Sequence, residues 1–172
     1  MKKKRLFGND LERLFKSDLK HIYYVEKEHA KAMNRIVKAT TEPEIKETLE
    51  NILSQCIQNR ERLEKIFDNI GIVPKGKKSR GIEGMIRESR EIINKSEHLT
   101  YVIIDASLLS AIQRILLYKS GAYKTLKSYA ELNSNKLATD LFDSCYNDAT
   151  KSEKKIYRLL IKRVKTKTVQ LY

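Results

Sequence analysis

The sequence predicts an all-α fold, an antiparallel bundle of four long helices, and three observations carry that expectation. Apolar residues recur at three- and four-residue spacing over long segments. The 172 residues include only six glycines and two prolines, which leaves those segments largely uninterrupted. No stretch alternates apolar and polar residues with period two over a useful length, so no strand is expected. A chain of this length is most often one domain with a sizeable core.

The first helix is read from Leu11, Leu14, Leu19, Ile22, Val25, Met33 and Ile36, roughly 30 residues by period. It closes in "ATTEPEIKETLENIL", where Thr41 can cap a new helix, Pro43 fits its first turn and Glu44 stands at capping-box spacing. The second helix follows through Ile45, Leu49, Ile52, Cys56, Leu63, Ile66 and Phe67. It stops in "NIGIVPKGKKS", where Gly71 can take a left-handed cap and Pro74 blocks continuation. A short amphipathic helix in "GIEGMIRESREIINKS" then lies within the long connection to the third long helix. The third covers Leu99 to Leu132, "NSN" breaks it, and the fourth covers Lys136 to Lys165. The expected organisation is a basic N-terminal extension (1–9), the bundle (10–165) and a short tail (166–172).

Composition narrows the function classes. Hydrophobic residues make up 41% and charged ones 33%, which fits a soluble globular chain rather than a disordered one. No apolar run approaches the roughly 20 residues of a membrane span, and "MKKKRLFGND" has no apolar segment behind its basic start. The expectation is therefore a cytoplasmic protein with no membrane partner. Cys56 and Cys145 are too few for a disulfide framework, and both fall on core stripes as reduced thiols. The net charge of +13 is concentrated in "KKKR", "KGKKSR" and the tail "KSEKKIYRLLIKRVKTK". Such a field attracts polyanions, so non-specific nucleic-acid binding stands beside a merely solvated basic surface.

Polar residues interrupt the apolar stripes near the middle of each long helix. They are Glu26 and His29 on the first, Gln55 with Gln58 and Asn59 on the second, Lys119 on the third, and Asp148 with Ser152 on the fourth. In an antiparallel bundle these should lie at similar height. A carboxylate-bridged di-metal centre needs about four carboxylates and two histidines there. Glu26 and Asp148 are the only carboxylates in suitable places. Glu26 and His29 share one face, as a metal half-site or as a partly exposed or hydrogen-bonded pair. Tyr23, Tyr24, Tyr118 and Tyr123 read as packing residues before they read as an electron relay.

Four stretches, taken in order, resemble the YciF-type ferritin-like family, stress-associated bacterial proteins related to rubrerythrins. They are "LFKSDLKHIYYVEKEHAKAM", "TEPEIKETLENIL", "NRERLEKIFDNIGIVPKGKKSRGIEGMI" and "DASLLSAIQRILLYKSGAYKTL". The resemblance implies a ferritin-like antiparallel four-helix bundle with a short extra helix between the second and third long helices. It also implies a di-metal carboxylate site and a dimer. Residue by residue, that site is largely lost here. Glu26 matches the family's first-helix glutamate. Gln55 and Asn59 stand where members show Glu and His or Gln, and Leu116 and Lys119 where they show two glutamates. Asn147 and Asp148 correspond to the fourth-helix carboxylates.

The reading is a ferritin-like protein with a degenerate metal site, leaning away from an enzyme and toward a structural or interaction role. Residual metal binding, if any, is expected at Glu26, His29 and Asp148 as a single ion, with no other cofactor. A functional di-iron oxidase, peroxidase or iron-binding protein is the alternative. A symmetric homodimer is expected from paired apolar residues at Leu108 with Leu109 and Leu159 with Leu160. If Lys119 points inward, Glu26 is its natural partner and Asp148 the second candidate; otherwise its stem carries the charge out to solvent.

Overall fold

The computed structural model describes residues 2–168, with side chains described for 10–95 and 97–165. Five α-helices follow in order: α1 Lys2–Ala39, α2 Pro43–Asn69, α3 Arg80–Asn94, α4 Tyr101–Leu132 and α5 Lys136–Thr168. A single 3-10 turn, Ser96–His98, precedes α4. Helices α1 and α2 form one hairpin and α4 and α5 another, with α1 against α4 and α2 against α5. The short α3 lies over α4 and α1. The result is a ferritin-like four-helix bundle with an extra helix in its long connection.

Each long helix buries a stripe stepping by three and four. On α1 the steps run Phe15, Leu19, Ile22, Glu26, His29, Met33 and Ile36; on α2, Ile45, Leu49, Ile52, Cys56, Asn59, Leu63 and Ile66. On α4 they run Leu108, Ile112, Leu116, Lys119, Tyr123, Leu126 and Ala130; on α5, Ala138, Phe142, Cys145, Ala149, Ser152, Ile156 and Leu159. Such burial stabilises by about 1.5–3 kcal/mol for each large apolar side chain. The α1 stripe enters the core at Phe15, since Leu14 is half exposed. The apolar core forms two clusters along the bundle, one around Phe67 and Phe142, the other around Leu49 and Leu109.

Several details depart from the sequence reading. The N-cap of α2 is Glu42 rather than Thr41, with Pro43 in the first turn and no side-chain cap bond. At the far end of α2 the expectation for Gly71 is met, at φ 68°. The Gly71 N–H donates to Asp68 O and the Ile72 N–H to Phe67 O, both at 3.0 Å. These are the two bonds of a Schellman ending. Helix α4 ends the same way, but Ser134 takes the left-handed position, at φ 53°. Helix α1 runs back through the basic segment to Lys2 and α5 runs on to Thr168, so both helices pass the boundaries drawn from sequence.

Two further expectations need correction. Leu108, Leu109 and Leu159 are buried within this one chain, Leu108 and Leu109 in the core cluster that Ile92 and Ile93 of α3 pack against. They supply no surplus for a partner. Helix α4 is in fact long and apolar enough, by length and composition, to cross a membrane. Polar groups interrupt each of its stretches, so no single run is long, yet the averaged hydropathy is high. Here α4 places Asp105 and Lys119 in the bundle interior together with its apolar stripe.

Candidate functional site

The polar rungs of three stripes meet in the centre of the bundle. Glu26 and His29 from α1, Cys56 and Asn59 from α2, and Lys119 from α4 are each at most 1% exposed. Their positions follow from the helical period. Residues 22, 26, 29 and 33 on α1, 52, 56, 59 and 63 on α2, and 112, 116, 119 and 123 on α4 share one spacing and so one face. No helix could turn these groups out without exposing the apolar residues one turn above and below.

Lys119 answers the question its sequence position raises. Its Nζ donates to Glu26 Oε2 at 2.8 Å. It also lies 3.5 Å from His29 Nδ1 and 3.7 Å from Cys56 Sγ. An ammonium has three N–H bonds, and three acceptors face it, although Cys56 Sγ also lies 3.3 Å from His29 Nδ1 and shares that lone pair. Glu26 is equally well satisfied: Tyr123 and Asn59 both donate to Oε1 while Lys119 holds Oε2. The pair is thus a buried salt bridge whose remaining hydrogen bonds are made, the condition such a pair needs to be tolerated.

The neighbours adjust to that charge pair. Burial holds His29 well below the usual imidazole range, and Lys119 pushes it the same way. A neutral His29 accepting at Nδ1 carries its proton on Nε2, which is buried without a partner. Burial likewise pushes the Cys56 thiol up to about 12, Glu26 adding to the rise and Lys119 opposing it. Cys145 of α5 also rises to about 12, from burial and from Glu26. Burial disfavours the Lys119 ammonium, but the Glu26 carboxylate offsets it, and its pKa lies above the usual lysine range. Both thiols are therefore protonated and unreactive as nucleophiles at neutral pH.

The other residues singled out from sequence lie elsewhere. Asp148 is half-buried at the bundle's rim and takes a charged hydrogen bond from Arg62, which also donates to Asn59 Oδ1 at 2.7 Å. It does not reach Lys119. Gln55 accepts from Ser152 at 2.6 Å, across the α2–α5 groove. Gln58 is exposed, and Leu116 is apolar core. The expectation that Glu26 and His29 are partly exposed is corrected, since both are fully buried, and the third side chain within ligand distance of them is Cys56 rather than Asp148. Tyr123 and Cys56 were read as packing, so their polar ends were missed. Their stripe positions, one turn from Lys119 and Asn59, are the signal that could have found them.

This geometry defines a ferritin-like bundle carrying a charged residue pair at the level of its polar centre. The chain belongs to the family described as a domain of unknown function, DUF892, whose model matches residues 10–169. It is similar to protein YciF of Escherichia coli strain K12, 25% identical over 143 residues, 83% of this chain and 85% of that one. The solved structure of the E. coli stress protein YciF has a TM-score of 0.85 at 24% identity, covering 90% of this chain and 97% of that chain. YcfI from Rhodopseudomonas palustris gives a TM-score of 0.81 at 24% identity, covering 86% and 92%. A two-domain protein from Anabaena variabilis with DJ-1/ThiJ/PfpI-like and ferritin-like domains gives 0.59 at 17% identity, covering 91% and 37%.

Proposed function

We propose that this YciF-type protein uses the ferritin-like bundle as a non-catalytic structural or interaction module in a stress response, with a lysine ammonium standing in for the metal pair. One observation carries the reading. Lys119 Nζ sits 2.8 Å from Glu26 and within 3.7 Å of the possible donor atoms of His29 and Cys56. A di-metal centre would bring four positive charges to a place that offers one carboxylate, already neutralised. About three further anions would be needed, and Leu116, Asn59 and Lys119 supply none. These residues do not fit a di-metal group. The stress and structural parts of the proposal rest on likeness: one relative is named a stress protein, and another carries a provisional label as a structural protein.

The test is metal content after expression in iron-rich medium. The expected outcome is well below one iron per chain, unchanged by reduction or added ferrous iron. About two irons per chain, lost on Glu26→Ala, would sink the proposal. A homodimer belongs to the same proposal, now resting on exposed Leu14, Ile57 and Leu117 rather than on buried leucines. A monomer mass across micromolar concentrations in light scattering would remove it.

A further inference from the structure

The exposed face of α5 carries an inference independent of the buried pair. Lys151, Lys155, Arg158, Lys162 and Lys165 recur at spacings of four, three, four and three, and all are exposed. They share one helical face. At 1.5 Å per residue the row is about 21 Å long. Its two ends differ. Toward the C-terminus Lys162 pairs with Glu44 and Arg163 turns aside to Glu42 and Asp105. At the other end Lys151 and Lys155 border a groove of about 400 Å³ between α2 and α5. Thr48, Asn51, Ser54, Gln55 and Gln58 line it from α2, and none of its lining residues is acidic.

We propose that this groove and the basic row beside it bind the phosphate backbone of duplex DNA without sequence preference. Phosphates are held by cations at helical spacing and by neutral N–H and O–H donors. Lys151, Lys155 and Arg158 supply the first. The exposed amides of Asn51 and Gln58 and the exposed hydroxyl of Ser54 supply the second; Thr48 is buried and donates its hydroxyl to Glu44 O. At 3.4 Å per base pair the row spans about six base pairs. A membrane surface suits the same charges less well, because an interfacial helix needs an apolar face beside them. The apolar stripe of α5 is inside the bundle, and exposed Tyr157 and Val164 lie about 120–140° around the helix from the centre of the row.

The experiment uses the full chain and a fluorescein-labelled duplex of about 24 base pairs, followed by anisotropy at about 50 and 200 mM salt. Binding in the micromolar range at the lower salt is expected, equal for a scrambled duplex, with a log–log salt slope near −3 for about three phosphate contacts. Lys151→Glu with Lys155→Glu should weaken it about 10-fold or more. The same charge change at Lys75→Glu with Lys78→Glu should weaken it less than about 3-fold, and circular dichroism checks that both variants fold. No binding at about 50 mM salt overturns the proposal. So does an equal loss from both double variants, which would mean attraction by net charge alone. Equal affinity for anionic lipid vesicles, lost in the same Lys151 and Lys155 variant, would replace DNA by a membrane.

Discussion

Two buried ion pairs sit at different depths in this bundle, and they are built differently. Lys119–Glu26, at the centre, leaves the two side chains 2% and 0% exposed. Arg163–Asp105, toward one end, leaves the aspartate 1% and the arginine 20% exposed. At the centre both oxygens of Glu26 accept from protein donors and the Lys119 ammonium faces only protein acceptors, because water cannot replace one. At the end, Arg163 bridges Asp105 and Glu42 and keeps an edge toward solvent. The lesson is that depth decides how completely a charge must be answered by side chains. Centre and end should therefore respond unequally to the same kind of substitution.

The largest effect is expected at the centre. Lys119→Met leaves Glu26 as a buried carboxylate with only neutral donors, and should destabilise by about 3 kcal/mol or more. Adding Glu26→Gln should recover much of that loss, since the amide needs no counter-charge. Urea unfolding of the wild type, both single variants and the double variant gives the cycle. A neutral or stabilising Lys119→Met with Glu26 intact would remove the distinction between the two pairs.

Arg163→Met makes the matching change at the end. It should cost about 1–3 kcal/mol, less than its central counterpart, because water reaches the place the guanidinium leaves. A loss equal to that of Lys119→Met would show that depth does not set the hierarchy.

Acid separates the two regions by sign. His29, beside Lys119 and Cys56, has its pKa lowered by burial, so below pH 6.5 the unfolded chain takes up a proton that the folded chain refuses. The stability it contributes is complete above pH 6.5 and is lost as pH falls below that value, at up to about 1.4 kcal/mol per pH unit. Asp105 is the reverse. Burial raises its pKa, Arg163 only partly opposing, so its contribution is greatest below the usual carboxylate pKa and is lost as pH rises through the raised value. Urea midpoints between pH 7.5 and pH 5.5 should fall less steeply in His29→Asn than in the wild type. Parallel slopes would mean that His29 takes up its proton as readily in the fold as in the unfolded chain.

Much of this was legible in the sequence, and the misses share a cause. The four stripes and the extra helix follow from helical period. The apolar residues three and four positions away put Glu26 and Lys119 on the inward stripes, but spacing leaves open whether the Lys119 charge stays inside or runs out along its stem to solvent. What spacing does not give is which atom touches which. Tyr123 and Cys56 look like ordinary core residues, and only the packed bundle turns the phenol and the thiol toward Glu26 and Lys119. Glu42 as N-cap was missed because Thr41 has the better capping side chain. The chain makes no cap bond there, and Pro43 sets the helix start instead.

Asp148 gives the smallest expected effect and the sharpest check on the centre. By sequence it was the second candidate partner for Lys119 and a residual metal ligand. Yet the buried stripe of α5 passes through Cys145, Ala149 and Ser152, and Asp148 stands one position off it. That offset, about 100° around the helix, carries its carboxylate to the rim, where Arg62 meets it with both side chains about a quarter exposed. Arg62 still touches Asn59, and Asn59 touches Glu26, so a thread of hydrogen bonds runs from rim to centre. If that thread were stiff, losing Asp148 would loosen the central pair. The geometry argues otherwise, because Arg62 can turn to water and Asn59 holds Glu26 by the longest of its bonds, 3.3 Å. Asp148→Asn should cost less than about 1 kcal/mol, and its coupling to Lys119→Met should stay within about 0.5 kcal/mol of zero. A coupling of about 2 kcal/mol would make rim and centre one network, and Asp148 part of the buried site after all.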